Sequence, residues 1–483
     1  MVDITDLQKE NASDTVTSAG RWAFAPPAHP VLLGLVAAWC VALTAVAAVA
    51  DTELSQIWPD WPFAFAAAAT WGLNLLVVVY GIGPPFCLSR AAVLAPAFAL
   101  LMTLFGSGSY WATIQLYPDY RVGIERAAWL VAACTCIALL ATVGAGKVLR
   151  RLQDSGRRHL QWDWPRLSAV TFLVFAVATV GTVITVRRIG YVPILSGDPA
   201  SVRVEFPLIG GIWYRLSMLG GVAALLVAVQ AAARRAGVAH YSVGLASLAM
   251  VGLYGPRFFV ALPLGVSILL WDRVRARVRL AWAMTFVLVG APVLALVGYW
   301  RQQDPSVALL GPFSLVLYGI LGEFRDLGWA LDYYGFGDRF LHGGTLGGLV
   351  VPLLPTPVWH LVGIDKAAIY AHSSASVLAD AMGQTTGQRI GAYGEFFINF
   401  GWWGALVGAV LYGILIAYLD NRYRGVQSSQ VRAVFFALAI AATVFAQIGQ
   451  LNMFTSTLTG YGYPLGLIVL VAAWLPRARR ASF

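Results

Sequence analysis

The sequence predicts an all-α polytopic membrane protein with about twelve transmembrane helices. Hydrophobic residues make up 59% of the 483 residues, and charged residues make up only 12%. The mean hydropathy is +0.71. An ordinary soluble domain carries about 25% charged residues. Because the apolar residues are gathered in runs that approach the roughly 20 residues a membrane helix needs, the composition excludes an ordinary soluble protein.

The apolar runs divide the chain into membrane helices and connections. We place helices at 31–50, 62–80, 91–108, 127–147, 167–186, 214–233, 241–255, 257–271, 280–299, 401–419, 433–450 and 461–476. Residues 1–30 are polar and end in prolines, which predicts a short disordered cytoplasmic tail. The region 31–300 therefore holds nine helices, 301–400 is a large outer segment, and 401–476 holds the last three helices before a second tail at 477–483.

Lysine and arginine are concentrated in alternate connections between these runs. With the N-terminus inside, the basic clusters all fall on the cytoplasmic side, as the positive-inside bias predicts. They include Arg90, Lys147, Arg150, Arg151, Arg166, Arg234, Arg235, Arg273, Arg422 and Arg477. The net charge of +10 follows this pattern, so nucleic-acid binding is not expected. The C-terminal tail is likewise predicted to be cytoplasmic.

The segment 301–400 departs from the pattern of simple spans. Its 310–333 part is apolar but is interrupted by Glu323, Arg325 and Asp326, which predicts an interfacial or re-entrant helix. Residues 345–357 are rich in Gly, Pro and Leu and predict a loop along the membrane. The four cysteines lie in or beside apolar runs, so we interpret them as small buried residues.

Several arginines are predicted on the outer face, against the positive-inside bias. They lie in the loop 187–213, at the start of the eighth helix, and in the outer segment: Arg203, Arg215, Arg257, Arg325 and Arg389. A guanidinium is always charged and binds phosphate oxygens with two parallel hydrogen bonds. Converging arginines therefore predict a diphosphate-binding site. The alternative is that each one pairs locally, as Arg389 could with Glu395.

Acidic residues on the same face are candidates for a general base. Glu395 is the first choice because it follows Arg389 directly before an apolar run, and His372 and Asp198 are further candidates. Tyr393 and Asn399 could line a sugar site, although interfacial aromatic residues also act as ordinary anchors. The chain has neither a P-loop nor a His-Glu-x-x-His motif, so neither a metal nor another cofactor is expected.

The outer motifs resemble those of the Wzy-type oligosaccharide repeat-unit polymerases. The resemblance lies in Gly190 to Asp198 followed by Arg203, then Gly255-Pro256-Arg257, then Arg389 to Gly401. It covers about 187–420 in pattern, whereas the first five helices match only in hydropathy. The order and placement of these short motifs carry the resemblance.

This resemblance implies a membrane glycosyltransferase of GT-C-like architecture that needs no metal. Such an enzyme transfers a growing glycan from undecaprenyl diphosphate to a lipid-linked repeat unit, at the extracytoplasmic face of the bacterial inner membrane. By matching position, Arg203, Arg257 and Arg389 would bind the diphosphates. A flippase and a chain-length regulator would be its partners.

Two other functions fit part of the pattern. An O-antigen ligase would use the same anion site and a prominent histidine in an outer loop, for which His372 is the candidate. A lipid-linked oligosaccharide flippase or another transporter would carry ionisable groups inside its helices. The predicted spans contain few such groups, which favours the polymerase.

Overall fold

The computed structural model describes residues 61–82, 90–100, 103, 121–151, 162–192, 209, 211–254, 257–274, 323–335, 339–354, 356–382, 389–424, 431–449 and 451–474. Within these residues the regular structure is entirely helical. The first seven helices are α1 (Trp61–Leu76, continued by a π-helical turn to Ile82), α2 (Ala91–Leu100), α3 (Arg121–Arg151), α4 (Trp164–Ile189), α5 (Gly211–Ala232), α6 (Val238–Gly252) and α7 (Arg257–Val274).

Short helices follow in the segment that the sequence assigns to one outer face. They are α8 (Glu323–Tyr334), α9 (Gly347–Val350, followed by a 3-10 turn), α10 (Thr356–Leu361), α11 (Lys366–Ala371) and α12 (Ser374–Ala381). Three long helices complete the described chain: α13 (Gly391–Arg424), α14 (Arg432–Ile448) and α15 (Leu451–Trp474).

The prediction of an all-α membrane protein is confirmed. Five helices are long and apolar enough to cross a bilayer: Arg126–Leu149, Trp164–Ile189, Gly211–Ala232, Gly391–Tyr423 and Leu451–Val471. Four shorter apolar helices lie at other predicted runs, whereas the runs at 31–50 and 280–299 lie outside the described residues. The described chain thus supports five spans, and the total of twelve stays a prediction.

Neighbouring helices pack with small residues and hydroxyl groups between them. Gly181 of α4 lies against the backbone of Trp213 and Ser217, and Gly244 of α6 lies against Val227. Near the other end of α4, Gln230 donates to the Thr171 hydroxyl at 2.9 Å. These contacts make α4, α5 and α6 an antiparallel up-down-up group.

α3 runs parallel to the C-terminal part of α13. Trp129 packs against Trp402 with ring centroids 5.7 Å apart, and the Cys134 thiol lies 3.7 Å from the Ala405 carbonyl oxygen. The Thr142 hydroxyl donates to the Gly413 carbonyl at 2.9 Å. α3 and this part of α13 therefore start at one end of the molecule and finish at the other.

The contacts between helices define two ends. The basic end contains the contacts Arg90–Asp420, Gly146–Asn421, Ser168–His240 and Leu269–Tyr423. The hairpin end contains Trp129–Trp402, Arg126–Asp332 and Tyr214–Tyr254. Connections that the sequence places on one side of the membrane thus meet at one end of the described structure. Which end faces the cytoplasm stays a prediction.

α13 reverses direction at Gly401. This glycine has φ 65° and ψ −157°, which interrupts the helix and separates a first arm (391–400) from a second arm (402–424). The arms fold back on each other: Gly404 and Gly408 lie against Phe396, and the rings of Tyr393 and Tyr412 are 5.7 Å apart. The sequence predicts a span that begins at 401, but the structure shows a helical hairpin that begins ten residues earlier.

Candidate functional site

The first arm of α13 brings three predicted site residues into the protein interior. Tyr393, Glu395 and Asn399 are 4%, 1% and 0% exposed. Their burial follows from the hairpin, because the arm packs against the second arm on one side and α8 on another. Near α8, the backbone at Gly394 lies against the side chain of Leu327. The polar lip that the sequence predicts is therefore covered by protein.

Glu395 contacts neutral groups of the described chain. Its Oε2 accepts the backbone N–H of Leu451, the first residue of α15, at 2.9 Å. The hydroxyls of Thr345 and Ser374 also lie beside the carboxylate. A carboxylate at a helix N-terminus satisfies an otherwise unbonded N–H and interacts favourably with the helix dipole. Arg389 is not among these described partners of Glu395, so the local pairing that the sequence offers as an alternative is not seen there.

Asn399 connects the first arm to the segment that precedes α9. Its Nδ2 donates to the Thr345 hydroxyl at 2.6 Å and to the Glu395 carbonyl at 2.7 Å. Its Oδ1 lies 3.4 Å from the Thr345 backbone nitrogen. A buried amide with partners on both atoms is satisfied structurally, so Asn399 fixes the cover of Glu395, by which we mean the chain around Thr345 and Ser374.

The break at Gly401 leaves carbonyl groups of the first arm without helical partners. The backbone N–H groups of Leu341 and His342 donate to the carbonyls of Ile398 and Asn399, each at 3.0 Å. A carbonyl without a hydrogen-bond partner is energetically costly inside a membrane, and these two bonds supply the partners. Segment 339–346 therefore serves as the C-terminal cap of the first arm.

Arg389 precedes the first arm and lies beside α8. Its backbone N–H donates to Asp326 Oδ2 at 3.2 Å, and Asp326 is itself buried at 6% exposure. The Arg389 side chain is half-buried. Asp326 thus fixes the backbone from which the predicted diphosphate-binding arginine projects.

Tyr393 faces a different set of partners from Glu395. Its ring packs edge-on against Tyr412, and Thr135 of α3 and Gln447 of α14 neighbour its hydroxyl. The Tyr412 hydroxyl donates to the Thr443 carbonyl at 2.6 Å. Tyr393 therefore belongs to a polar layer between α3 and α14, whereas Glu395 faces the start of α15.

Two further predicted arginines, Arg215 and Arg257, lie close in sequence to the contact between Tyr214 and Tyr254 at the hairpin end. Arg215 is exposed on α5, next to Tyr214, and the Tyr214 ring packs edge-on against Tyr254 at 5.3 Å. Arg257 is the first residue of α7, three residues after Tyr254. The structure thus brings the backbone positions of Arg215 and Arg257 to one end, and their role in binding a diphosphate stays a prediction.

The remaining predicted site residues are separate or lie outside the described part. His372 is exposed and lies directly before the Ser373 cap of α12. Arg325 lies on α8, one residue before Asp326. Asp198 and Arg203 fall outside the described residues. The described residues contain no group of three or more His, Cys, Asp or Glu side chains that could hold a metal ion.

Sequence reasoning missed four polar residues around the first arm. Thr345 and Ser374 lie beside Glu395, and Thr135 and Gln447 lie beside Tyr393. All four are at most 6% exposed. A usable signal existed for Thr135 and Gln447, because each is a hydrogen-bonding residue inside an apolar run. No local sequence pattern indicated Thr345 or Ser374, because their position beside Glu395 depends on how distant segments fold together.

Comparisons of the chain with models of known protein families, with characterised sequences and with solved structures give no match.

Proposed function

We propose that the chain is a polysaccharide polymerase of the bacterial inner membrane. It transfers a growing glycan from undecaprenyl diphosphate to a lipid-linked repeat unit at the extracytoplasmic face. Support comes from the all-α membrane fold, from the resemblance between 187 and 420, and from the basic residues at the hairpin end. The GT-C-like architecture belongs to the same proposal.

The observation that carries the proposal is the surroundings of Glu395. A carboxylate that is 1% exposed and surrounded by neutral groups is costly to keep charged. Helix breaks at membrane depth are tolerated where backbone is buried in protein or lines a cavity. The hairpin combines such a break with a buried carboxylate and with Arg389 at the start of the same arm. This combination suits an acid–base group beside an anion site.

In the proposed reaction, Glu395 takes the proton from the acceptor sugar hydroxyl. The hydroxyl oxygen then bonds to the anomeric carbon of the growing glycan, and the bond from that carbon to the phosphate oxygen breaks. Undecaprenyl diphosphate leaves with the electron pair, and arginine side chains stabilise its charge. Arg389, with Arg257, Arg215, Arg325 and Arg203, supplies these candidates. The cover at Thr345 and Ser374 must move to admit the acceptor.

The deciding experiment mixes purified protein in nanodiscs with lipid-linked repeat unit, without nucleotide sugar or added metal. A ladder of longer lipid-linked glycans is expected. The Glu395→Gln variant serves as the matched negative control, because it keeps the shape of the side chain and an oxygen that accepts the Leu451 N–H. Absence of any ladder from folded wild-type protein would remove the polymerase proposal.

The same hairpin supports a second candidate, a lipid-linked oligosaccharide flippase or transporter. Transporter sites commonly use discontinuous helices with ionisable groups beside the break. Glu395, six residues before Gly401, fits that description. Movement of single repeat units across vesicles, with no growth in length, would favour the transporter.

An O-antigen ligase is the third candidate, with exposed His372 as its catalytic histidine. Transfer of glycan to a lipid A core rather than to a second repeat unit would identify it. In the polymerase proposal a flippase and a chain-length regulator are the protein partners, and co-purification from membranes tests them.

A further inference from the structure

Three polar side chains from separate helices meet behind the first arm of α13. Thr135 comes from α3, Tyr393 from the first arm and Gln447 from the last turn of α14. They are 2%, 4% and 6% exposed, so bulk water does not reach them. None of the three is needed for the proposed proton transfer, and the sequence motifs leave Thr135 and Gln447 unexplained.

The polar atoms of this group form no well-aligned hydrogen bond with a described residue. Thr135 Oγ1, the Tyr393 hydroxyl, and both Nε2 and Oε1 of Gln447 are buried without such a bond, although Thr135 and Gln447 lie within hydrogen-bonding reach of the tyrosine hydroxyl. Two neighbouring polar groups already have hydrogen-bond partners of their own. The Tyr412 hydroxyl donates to the Thr443 carbonyl, and the Cys134 thiol lies against the Ala405 carbonyl.

Four buried polar atoms without a well-aligned bond are costly, because each has lost its hydrogen bonds to bulk water. A water molecule typically makes two to four hydrogen bonds to buried polar groups of this kind. The three side chains supply both donors and acceptors: a tyrosine hydroxyl, a threonine hydroxyl and a complete amide.

We infer that Thr135, Tyr393 and Gln447 form a binding site for an ordered water molecule that bridges α3, the first arm and α14. The water joins the back of the arm to the two helices behind it. The front of the arm is held by direct bonds instead, through Glu395 to Leu451 and through Asn399 to Thr345.

The direct test is a density map of the full-length protein in nanodiscs, at a resolution that shows ordered water. A peak within about 3.2 Å of the Tyr393 hydroxyl and of at least one atom each from Thr135 and Gln447 is expected. A map in which the Gln447 amide bonds directly to the Tyr393 hydroxyl, with no peak between them, would overturn the inference.

A set of variants tests the same site in solution. Tyr393→Phe and Gln447→Met should each lower the melting temperature by about 2 °C or more, since each leaves the water with fewer partners. The triple variant with Thr135→Val should regain at least half of the summed loss, because no polar group then remains to be hydrated. Tyr412→Phe is the control that removes one direct bond. Losses that simply add in the triple variant contradict a shared water.

Discussion

Glu395 combines an observed structural contact with the proton transfer that we propose for it. Its carboxylate accepts the first N–H of α15, which is a structural role, and its burial among neutral groups suits proton transfer. The sequence singles out this residue as the candidate base, which stays a prediction, and it offers pairing with Arg389 as the alternative. The two roles separate on substitution, because a helix cap needs only an acceptor oxygen whereas a base needs a carboxylate.

Glu395→Gln should therefore keep the fold and lose the activity. The amide oxygen can still accept the Leu451 N–H, so the free energy of unfolding should change by no more than about 1.5 kcal/mol. Loss of a general base should lower the polymerisation rate by about 100-fold or more. Thermal unfolding and a product ladder measure the two effects. Full activity in the variant would assign Glu395 to structure alone.

The two ion pairs at opposite ends of the molecule should differ in their contribution to stability. Arg90 and Asp420 are 3.3 Å apart with side chains 3% and 4% exposed, whereas Arg126 and Asp332 are 3.2 Å apart with both side chains 32% exposed. The partial burial of Asp332 raises the pKa of its carboxyl group, although the neighbouring Arg126 guanidinium lowers it. The attraction between Arg126 and Asp332 therefore does not outweigh the cost of removing the carboxylate from water.

Asp420→Asn should destabilise the protein by about 3–5 kcal/mol, because it leaves the Arg90 guanidinium buried beside a neutral group. Asp332→Asn, the matched variant, should change stability by less than about 1 kcal/mol. Chemical unfolding in the same detergent compares them. Equal effects of the two variants would show that burial does not set the strength of these pairs.

At the scale of elements, Gly401 determines the shape of the hairpin. Its φ and ψ of 65° and −157° belong to a region that only glycine adopts without strain. A Cβ at this position would also lie 2.9 Å from Phe340 Cζ, in the cap of the first arm. The conformation and the packing both exclude a side chain.

Gly401→Ala should reduce the amount of folded protein or shift the hairpin, at a cost of about 1–3 kcal/mol for the backbone alone. Gly144→Ala is the control, since Gly144 lies inside α3 with open space around its Cα. That change should be neutral or slightly stabilising. Yield and melting temperature of the two variants measure the difference. A Gly401→Ala protein as stable as wild type would mean that the turn is not built on this residue.

A disulfide tests the hairpin directly. In a background without native cysteines, Phe396→Cys with Gly408→Cys should form a cross-link on oxidation, because the two positions pack against each other. Trp403→Cys with Leu415→Cys has the same separation in sequence, but both positions lie on the second arm, about 18 Å apart along a straight helix. This control pair should stay reduced. Cross-linking of neither pair would indicate a continuous helix.

The elements show what local sequence determines and what it does not. Apolar runs located the long helices that the structure describes, but not the short helices α9 to α12, part of which lies where the sequence predicts a loop. Gly404 and Gly408 have the small-residue spacing that is typical of close helix packing, but this spacing does not show that their packing partner is Phe396 of the same element. The reversal at Gly401 is set by a φ and ψ pair and by Phe340, which lies 61 residues earlier in the chain. The cover of Glu395 depends on similarly distant segments.

At the scale of the whole molecule, the described helices have a basic end and a hairpin end. Arg166, Arg235 and Arg273 lie near the contacts that define the basic end, as the charge pattern predicts. The packing thus brings these basic connections to one end of the described helices, and the side of the membrane that this end faces stays a prediction. Charge bias is readable from sequence because it acts on each loop separately. Whether the arginines converge in one site cannot be read from the sequence, because that depends on the packing of all helices.

The orientation proposed here can be measured by labelling from one side. Ile212 and Val238 are 66% and 84% exposed, and they lie two residues from Tyr214 at the hairpin end and from His240 at the basic end respectively. In a cysteine-free background, Ile212→Cys should react with an impermeant maleimide added to intact spheroplasts, and Val238→Cys should react only after permeabilisation. The opposite result would place the hairpin end in the cytoplasm and remove the proposal of an extracytoplasmic active site.

The first arm depends on chain that is synthesised after it. The Gly391 N–H donates to the Gly449 carbonyl, and Glu395 holds the N–H of Leu451. A ribosome therefore delivers the arm to the bilayer before those partners have been translated. A nascent polypeptide that stops just after residue 424 carries every candidate catalytic and phosphate-binding side chain, yet it lacks the groups that hold Glu395 in place. Activity should thus appear only when translation has passed the start of α15.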